Sequence, residues 1–456
     1  MNQPADSAGI ERAVAKVRAQ RKVRIGLVGC GVVGTGILQL LSDNADTIEA
    51  RLGAPIEVVG IAVRDRAKVR DPLVPAELVG DDPMALATHD DVDVVVEVMG
   101  GLEPAGAVVK EALEHGKHVV TANKALIAEE GEALLEMAES RRVDLYFEAA
   151  VAGGIPIIRV LREALASDRI VALSGIVNGT SNYILSRMTS AGLDFAAALA
   201  EAQEQGYAEA DPTLDINGGD ARHKLAILAT LAFGARIDVH AIPMEGIDTV
   251  SALDIAFASR FGYVIKPLAI GRPTANGELD LRVHPALVPE SSVLASIHGA
   301  LNAVHIEGAM LGPSLMSGPG AGALPTAMSV VSDIVDVGRN LITGAHARVP
   351  SRSFRGSTLQ ARPLAAPSSH RGRFYLRFDV HDRTGVLGKI ANVLGGFDVS
   401  IEQMVQEGGQ SQGNAQATLV MLTHVASAGD VRGALEEIDR LQYTTGPSRA
   451  LRIEEG

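Results

Sequence analysis

The residues best suited to acid–base chemistry lie in one polar stretch, Gly206–Leu225, which reads GYAEADPTLDINGGDARHKL. Asp220 and Lys224 are four residues apart, so they share one face of a helix. The apolar run Leu225–Ala235 that follows predicts a buried helix, with this pair near its buried end. A lysine that is partly removed from water beside carboxylates can exchange a proton with a substrate. The alternative is a solvated i,i+4 salt bridge, and we interpret the neighbouring His223 as structural.

A second group of residues is suited to binding phosphates. The β-branched run Val23–Val28 leads into Gly29-x-Gly31-x-x-Gly34, and a helical apolar pattern follows. This order is typical of a βαβ unit that binds a dinucleotide: the first glycine permits a tight turn, the second a close approach of the pyrophosphate, and the third close packing of helix and strand. The helix N-terminus adds unpaired N–H groups. The predicted cofactor contacts are Gly29, Gly31, Val32, Val33 and Gly34.

Further candidates follow predicted parallel strands, whose carboxyl ends border the ligand crevice of an open α/β sheet. Arg64 follows the second strand, where an arginine accommodates the 2′-phosphate of NADP. Asp65 comes one residue later, which leaves NAD open, and the alternative is a solvated charged loop. Gly100 lies at the end of a later strand, and Thr121 and Lys124 lie at the end of the next. The alternatives there are a simple turn and a capped helix start.

The elements that would position these residues change in character along the chain. The predicted strands of the first part are continuous apolar runs, which favour a parallel sheet covered on both faces: Val23–Val28, Ile56–Val63, Val92–Val98, His118–Thr121 and Asp144–Phe147. After Glu148 small and breaker residues indicate a hinge, and helices mix with strands such as Ile170–Val177 in an α+β region. Gly318–Thr326 is predicted to be a loop that leads into the helix Ala327–Asn340.

The last part of the chain has its own pattern. The proline-containing stretch His346–Arg373 is predicted to be a linker. Beyond it the order β-α-β-β-α-β is typical of a ferredoxin-like domain, with strands at Phe374–Val380, Val399–Gln406 and Ala417–Thr423 around a polar hairpin tip, Glu407–Gln416.

Bulk composition excludes some functions. The formal net charge of −14 argues against binding of nucleic acid through clustered Lys and Arg. The longest charge-free stretch, Gly308–Ser332, is broken by three prolines, so we expect no membrane span. The one cysteine, Cys30, cannot form an intrachain disulfide, which fits a cytoplasmic location.

Several stretches in the same order resemble the homoserine dehydrogenase family between Arg24 and about Asn340. They read GLVGCGVVG, VVEVMGG, TANKALIA, FEAAVAGGIPII, VNGTSNYIL, GYAEADPTLDINGGDARHKLAIL and GPGAGALPTA. Ser181 stands where the family usually has threonine, which keeps the hydroxyl. The C-terminal part, Phe374–Ile453, resembles an ACT domain and includes DRTGVLGKIANVL.

The resemblance implies reversible hydride transfer between NAD(P)H and L-aspartate 4-semialdehyde, giving L-homoserine for threonine, methionine and isoleucine biosynthesis. Lys224 would donate the proton to the forming alkoxide, and Lys124 would lie near nicotinamide and substrate. Asp215 and Asp220 would orient the lysine and the substrate hydroxyl, and Glu209 would accept the substrate ammonium. A zwitterion needs such a carboxylate, and an alkoxide needs a positive donor. Gly320 would lie near the nicotinamide.

The resemblance also implies two further ligands. A monovalent cation, Na⁺ or K⁺, would be bound by Glu148 and the backbone carbonyls of Val151, Gly153 and Ile155. An amino-acid effector, with threonine as the candidate, would bind the ACT-like domain at Asp382, Thr384, Gly385, Val386 and Leu387. The alternative is that this domain only pairs subunits, and we expect a homodimer or homotetramer.

The sequence thus predicts an α/β chain with a Rossmann-type dinucleotide-binding domain, an α+β substrate and dimerisation domain and a C-terminal ferredoxin-like ACT domain. The expected ranges are a flexible tail at 1–21, the nucleotide domain at 22–149 completed by 320–345, the substrate domain at 150–319, a linker at 346–372 and the ACT domain at 373–456. Two rival functions remain, a non-enzymatic sensor of dinucleotide and amino acid, and a reductase of another small amino aldehyde.

Overall fold

The computed structural model describes residues 22–408 and 416–455, so the predicted tail and most of the predicted hairpin tip lie outside the described residues. The strands in chain order are β1 Val23–Val28, β2 Ile56–Ala62, β3 Val79–Gly80, β4 Val94–Glu97, β5 His118–Thr121, β6 Leu145–Tyr146, β7 Ile170–Ile176, β8 Ala235–Arg236, β9 Tyr263–Pro273, β10 Leu279–Pro289, β11 Leu301–Gly308, β12 Gly312–Pro319, β13 Gln360–Ala361, β14 Arg371–His381, β15 Ile401–Gly408, β16 Gln416–Thr423, β17 Ala426–Ser427 and β18 Arg449–Ile453.

The longer helices are α1 Val32–Asp43, α2 Ala45–Leu52, α3 Pro83–Thr88, α4 Ala105–Glu114, α5 Lys124–Arg141, α6 Gly179–Ala191, α7 Phe195–Glu204, α8 Thr213–Ile216, α9 Gly219–Phe233, α10 Ala252–Arg260, α11 Ala323–Thr343, α12 Val386–Gly396 and α13 Ala428–Ile438. Within the described ranges, none of the helices has the length and apolar character needed to cross a membrane.

The first of two compact units contains residues 22–169, 226–239 and 318–361. Its parallel sheet has the order β3-β2-β1-β4-β5-β6, with β1 hydrogen-bonded to β2 on one side and β4 on the other. Strand interiors such as Ile25, Leu27 and Val96 are fully buried. Each such side chain contributes about 1.5–3 kcal/mol of apolar burial. The prediction of a Rossmann-type parallel sheet is therefore confirmed, with several strands shorter than predicted.

Helix α11 packs on this sheet through Ala327, Val330, Ile334 and Val337, which join the same core as β1 and α1. The predicted loop Gly318–Thr326 is too long, because β12 continues to Pro319 and α11 begins at Ala323. Proline is tolerated in the first helical turn, where its missing N–H is not needed. Pro325 therefore lies within the helix although the sequence pattern placed it before the helix.

The second unit contains residues 170–225, 240–317, 362–408 and 416–455. Its mixed sheet has the order β12-β11-β7-β9-β10-β18-β14-β16-β15. Most of β10 is buried residue after residue, so it shows no alternation of apolar and polar side chains. This is why period-two patterning did not reveal the long hairpin that β9 and β10 form.

The C-terminal part has the strand order β18-β14-β16-β15 with α12 and α13, the ferredoxin-like arrangement that the sequence predicted. Strand β18 also pairs in parallel with β10, at Ala286–Arg452 and Leu287–Ile453, so one sheet continues into this region. Ion pairs support the junction: Arg282 contacts Glu454 at 2.7 Å, and Arg377 of β14 contacts the buried Asp254 of α10 at 2.7 Å.

The predicted linker, 346–372, is not an exposed tether. Arg352 is 1% exposed and Leu359 is buried. Residues of β13 pair with β8 in the first unit, and Pro363 O accepts the N–H of Leu279 at 2.9 Å in the second. The segment packs through single side chains and isolated hydrogen bonds, which leave no periodic pattern in the sequence.

Lys266 of β9 is a buried charge in the second unit. It is 1% exposed, and its Nζ donates to Ile297 O at 2.5 Å. Burial lowers the pKa of Lys266 from 10.5 to about 8, and burial, with a smaller effect of Lys266, lowers that of His298. The unfolded chain therefore binds a proton here more readily than the folded chain, so the free energy of unfolding rises with pH between about 8 and 10.5.

We expect Lys266→Met to raise the free energy of unfolding at neutral pH by about 1–3 kcal/mol and to flatten its rise in that alkaline window. Urea denaturation at several pH values measures both effects. Lys22→Met is the control, because Lys22 is exposed and forms a surface ion pair with Glu57. If the free energy of unfolding had the same value and the same pH dependence in the wild type and in Lys266→Met, burial of the Lys266 ammonium would carry no free-energy cost.

Candidate functional site

The glycine turn after β1 has the geometry of a phosphate-binding turn. Gly29 has φ +100°, and a Cβ there would lie 2.8 Å from the backbone of Val98. A Cβ on Gly34 would lie 2.5 Å from Gly29 O, so this glycine is required by packing. Among the described residues, and apart from the adjoining chain, no atom would lie within 4 Å of a Cβ on Gly31. The space in front of Gly31 is therefore open, at the N-terminus of α1, where backbone N–H groups attract an anion.

Arg64 is exposed just beyond the end of β2. Its neighbour Asp65 is occupied within its own turn, because Asp65 Oδ1 accepts the N–H of Ala67 at 2.9 Å and Asp65 O accepts a hydrogen bond from Arg70. Arg64 is thus an exposed cationic residue close to this strand end.

Glu97, which the sequence reading missed, organises the ends of β4 and β5. It is fully buried. Its Oε1 accepts the N–H groups of Met99 at 2.8 Å and Gly100 at 3.1 Å, and its Oε2 accepts the hydroxyl of Thr121 at 2.5 Å. One carboxylate therefore brings together two predicted cofactor positions. A glutamate that ends an otherwise apolar strand was the available signal.

Asn123 connects the same loop to α5. Its Oδ1 accepts the N–H of Leu126 at 3.1 Å as the N-cap of α5, and its Nδ2 donates to Gly101 O at 2.6 Å. Lys124 is the first residue of α5 and is half-buried. The cap fixes the backbone from which the Lys124 side chain extends.

Lys224 and Asp220 form an ion pair near the start of α9. Lys224 Nζ lies 2.8 Å from Asp220 Oδ2, and the two side chains are only 11% and 6% exposed. Lys224 Nζ also donates to Val177 O at 2.7 Å. The pair is therefore largely removed from water, unlike the solvated salt bridge that the sequence left as an alternative.

The N-terminus of α6 joins this pair to the other candidate carboxylates. Asn178, the N-cap of α6, donates through Nδ2 to Asp215 Oδ1 at 2.7 Å and to Asp220 Oδ2 at 2.8 Å. Ser181 Oγ donates to Asp215 O at 2.8 Å. Glu209 lies exposed in the segment before α8. The sequence reading had no role for Asn178, although an asparagine before a helix signals a cap.

The predicted hinge is a compact turn within the first unit. Ala152 and Gly153 have φ +54° and +38°, and a Cβ on Gly153 would lie 2.6 Å from Gly320 O. Ser329 Oγ donates to Gly153 O at 2.6 Å, and Ile155 O accepts the N–H of Ile157 at 2.7 Å. The turn and the loop that holds Gly320 are thus in close contact.

Glu148 precedes this turn and is buried. Its Oε1 and Oε2 accept the backbone N–H groups of Ile158 and Arg159 at 2.9 and 2.8 Å, and its own N–H donates to Asp333 at 2.8 Å. Burial, with the nearby Asp333, raises the pKa of Glu148 to about 8.

Within the described residues, no three His, Cys, Asp or Glu side chains converge as metal ligands.

The C-terminal region contains a cavity of about 260 Å³. Its wall includes the five predicted effector residues and, from the neighbouring strands, Gln406 and Ala417. Gly385 has φ +85° and caps α12, so backbone N–H groups at the helix start face the turn that borders this cavity.

The different surroundings of the glycines make the proposed nucleotide turn testable. We expect Gly31→Ala to fold with a wild-type melting temperature but to bind NADPH at least about tenfold more weakly, because its methyl group would occupy the phosphate space. Gly34→Ala should instead lower the melting temperature. Thermal denaturation and fluorescence titration with NADPH separate the two effects, and unchanged affinity in Gly31→Ala would place the phosphates elsewhere.

Comparison with known families matches three parts of the chain. The family model for the homoserine dehydrogenase NAD binding domain covers residues 29–148, the one for homoserine dehydrogenase covers 156–335, and the ACT domain model covers 374–442.

Related proteins match over most of the chain. The homoserine dehydrogenase of Neisseria gonorrhoeae is 44% identical over 95% of this chain and 99% of its own length, and that of Corynebacterium glutamicum is 42% identical over 95% and 96%. The crystal structure of the Thiobacillus denitrificans enzyme has a TM-score of 0.90 at 42% identity, covering 95% and 99%. A hyperthermophilic archaeal homoserine dehydrogenase in complex with NADPH has a TM-score of 0.59 at 27% identity, covering 70% and 98%. The chain therefore belongs to the homoserine dehydrogenase family.

Proposed function

We propose that this chain interconverts L-aspartate 4-semialdehyde and L-homoserine with Lys224 as the proton donor. The observation that supports this role is the state of the Lys224 ammonium, which is largely buried and contacts Asp220 and Val177 O. An ammonium has three hydrogens, and among the described residues these two groups are its partners. One hydrogen therefore remains for a substrate oxygen.

The neighbouring carboxylates fit the ammonium group of an amino-acid substrate. Asp220 holds the ammonium of Lys224, and Asp215 lies on the far side of the same Asn178 amide. Glu209 is exposed and accepts the substrate ammonium in this proposal. Lys124, at the first position of α5, is proposed to approach the substrate and the nicotinamide.

The reaction then needs one proton and one hydride. The nicotinamide cofactor, when bound, supplies the hydride to the aldehyde carbon. Lys224 stabilises the negative charge that develops on the aldehyde oxygen and transfers a proton to it. In the reverse direction the neutral amine of Lys224 accepts the hydroxyl proton of homoserine, and Asp220 stabilises the ammonium that results.

We propose a preference for NADP over NAD, supported by the exposed Arg64 at the end of β2, where a 2′-phosphate would lie. The ratio of kcat/KM for NADPH and NADH measures this preference.

A cytoplasmic location remains a prediction from the single cysteine.

We also propose a monovalent cation at the turn 148–155. Hard cations prefer oxygen ligands, and the positive φ values of Ala152 and Gly153 change the direction of successive carbonyls. Gly153 O and Ile155 O each accept one hydrogen bond, and a carbonyl has a second lone pair. Both Glu148 oxygens already accept backbone N–H groups, so in this proposal Val151, Gly153 and Ile155 are the main ligands. A bound cation would favour the ionised form of Glu148 against the effect of burial, and the carboxylate would then compensate the cation's charge.

The C-terminal cavity is proposed to bind an amino-acid effector, with threonine as the candidate, in a homodimer or homotetramer. The Asp382 carboxylate is suited to an effector ammonium, and the N–H groups at Gly385 are suited to an effector carboxylate. The ACT domain match supports a regulatory role.

We expect Lys224→Ala to reduce kcat by about 10²–10⁴-fold, because general acid catalysis contributes this much. The dissociation constant for NADPH should stay within about threefold of wild type, since the lysine contributes no phosphate contact in this proposal. Spectrophotometric oxidation of NADPH with aspartate semialdehyde measures the first effect, and titration measures the second.

Lys110→Ala is the matched control for that experiment, because Lys110 forms a half-exposed pair with Glu130 between α4 and α5. It should retain normal kcat. A Lys224→Ala variant with near-normal turnover would rule out Lys224 as the donor.

We expect Asp382→Ala to weaken inhibition by threonine by about tenfold or more, since the charged contact with the effector ammonium is lost. The kcat without effector should not change. Initial rates at increasing threonine concentration measure this shift, with Asp398→Ala as an exposed control on the same domain, outside the cavity lining. Equal inhibition of Asp382→Ala and wild type would move the effector away from this cavity.

A further inference from the structure

We propose that Asn178 is a positioning residue that keeps Asp215 and Asp220 together as two ionised carboxylates, so that Asp220 can hold the Lys224 ammonium for proton transfer. The inference rests on the proposed role of Lys224 as proton donor. In this inference Asn178 does not contact the substrate, but it stabilises the negative charges of the carboxylates beside Lys224.

The two carboxylates come from different elements, Asp215 from α8 and Asp220 from α9. The Nδ2 of Asn178 donates to one oxygen of each, at 2.7 and 2.8 Å, so both amide hydrogens are used. Two carboxylates this close repel, and the repulsion favours protonation of one of them. A neutral amide with two donors stabilises both charges without adding a positive charge that would compete with Lys224.

The orientation of this amide is fixed by the fold. Asn178 Oδ1 accepts the backbone N–H of Ser181 at 2.7 Å, as the N-cap of α6. A turned amide would place NH₂ against this N–H group and place its carbonyl oxygen against two carboxylates. Asn178 is 5% exposed, so water does not replace the lost donors. The cap therefore requires Nδ2 to face Asp215 and Asp220.

The preceding residue holds the ammonium itself. Val177 O accepts Lys224 Nζ at 2.7 Å and Asn302 Nδ2 at 3.0 Å. The junction of β7 and α6 thus binds Lys224 through a backbone carbonyl and binds its counter-ion through the Asn178 side chain. The charged groups at this junction include Asp215 of α8 and Asp220 and Lys224 of α9, and β11 contributes the neutral amide of Asn302.

Two substitutions separate this role from helix capping. Asp and Ser both cap helices well, so Asn178→Asp and Asn178→Ser keep the bond to Ser181. Asn178→Asp replaces the donor with a third carboxylate, and Asn178→Ser leaves at most one donor. The control is Asn182→Ala on the same helix, because the buried Asn182 donates to Ile297 O, Gly299 O and Leu301 O rather than to carboxylates.

We expect Asn178→Asp to lower kcat for homoserine oxidation at neutral pH by about tenfold to a hundredfold, the effect of losing a charge-assisted hydrogen bond. The pH of half-maximal kcat should move upward, because added negative charge retains the proton on Lys224. Asn178→Ser should show a smaller change in kcat, and KM for the nucleotide should not change in either variant. Asn182→Ala should lower the melting temperature without moving the pH profile.

A second measurement does not need turnover. Trace acetylation with acetic anhydride, followed by mass spectrometry, reports the pH at which Lys224 becomes an unprotonated amine. Lys389, which is exposed on α12, is the internal standard. We expect this pH to be higher in Asn178→Asp than in wild type. Unchanged labelling and an unchanged pH profile in both Asn178 variants would overturn the positioning role. A wild type without homoserine oxidation would instead overturn the proposed function, and the labelling would still test Asn178.

Discussion

The proposed chemistry depends on keeping one ammonium largely out of water and still within reach of a substrate oxygen. A charge removed from solvent is costly unless it is paired and hydrogen-bonded. Lys224 meets this requirement with one carboxylate and one backbone carbonyl. The carboxylate is itself stabilised by an amide that caps a helix. The junction of β7 and α6 and the start of α9 supply the groups that stabilise this single charge.

The sequence was most informative where the physical signal is local. The β1–turn–α1 unit needs only a β-branched run, three glycines and a helical pattern, and each was visible in a short stretch. The spacing of Asp220 and Lys224 likewise predicted a shared helix face. The resemblance to homoserine dehydrogenases then supplied the fold class and the activity, and both agree with the family matches.

Features that depend on distant partners were not visible in the sequence. Glu97 reads as the end of a strand, and only the fold shows that it holds the loop at Gly100 and the hydroxyl of Thr121. Asn178 reads as a helix cap, while its second function needs residues 37 and 42 positions away. The pairing of β18 with β10 could not be predicted either, because β10 belongs to the α+β region and β18 to the ferredoxin-like region.

The pairing of β18 with β10 limits how this chain can be shortened. The ACT domain is not connected to the preceding region by a flexible linker alone, because its final strand lies between β10 and β14. A truncated protein that ended before residue 362 would leave Ala286 and Leu287, at one end of β10, without their strand partners. Unpaired strand edges are templates for aggregation. Versions of the enzyme without the ACT domain would therefore need a substitute cover for this end of β10, such as a charged or proline-bearing segment.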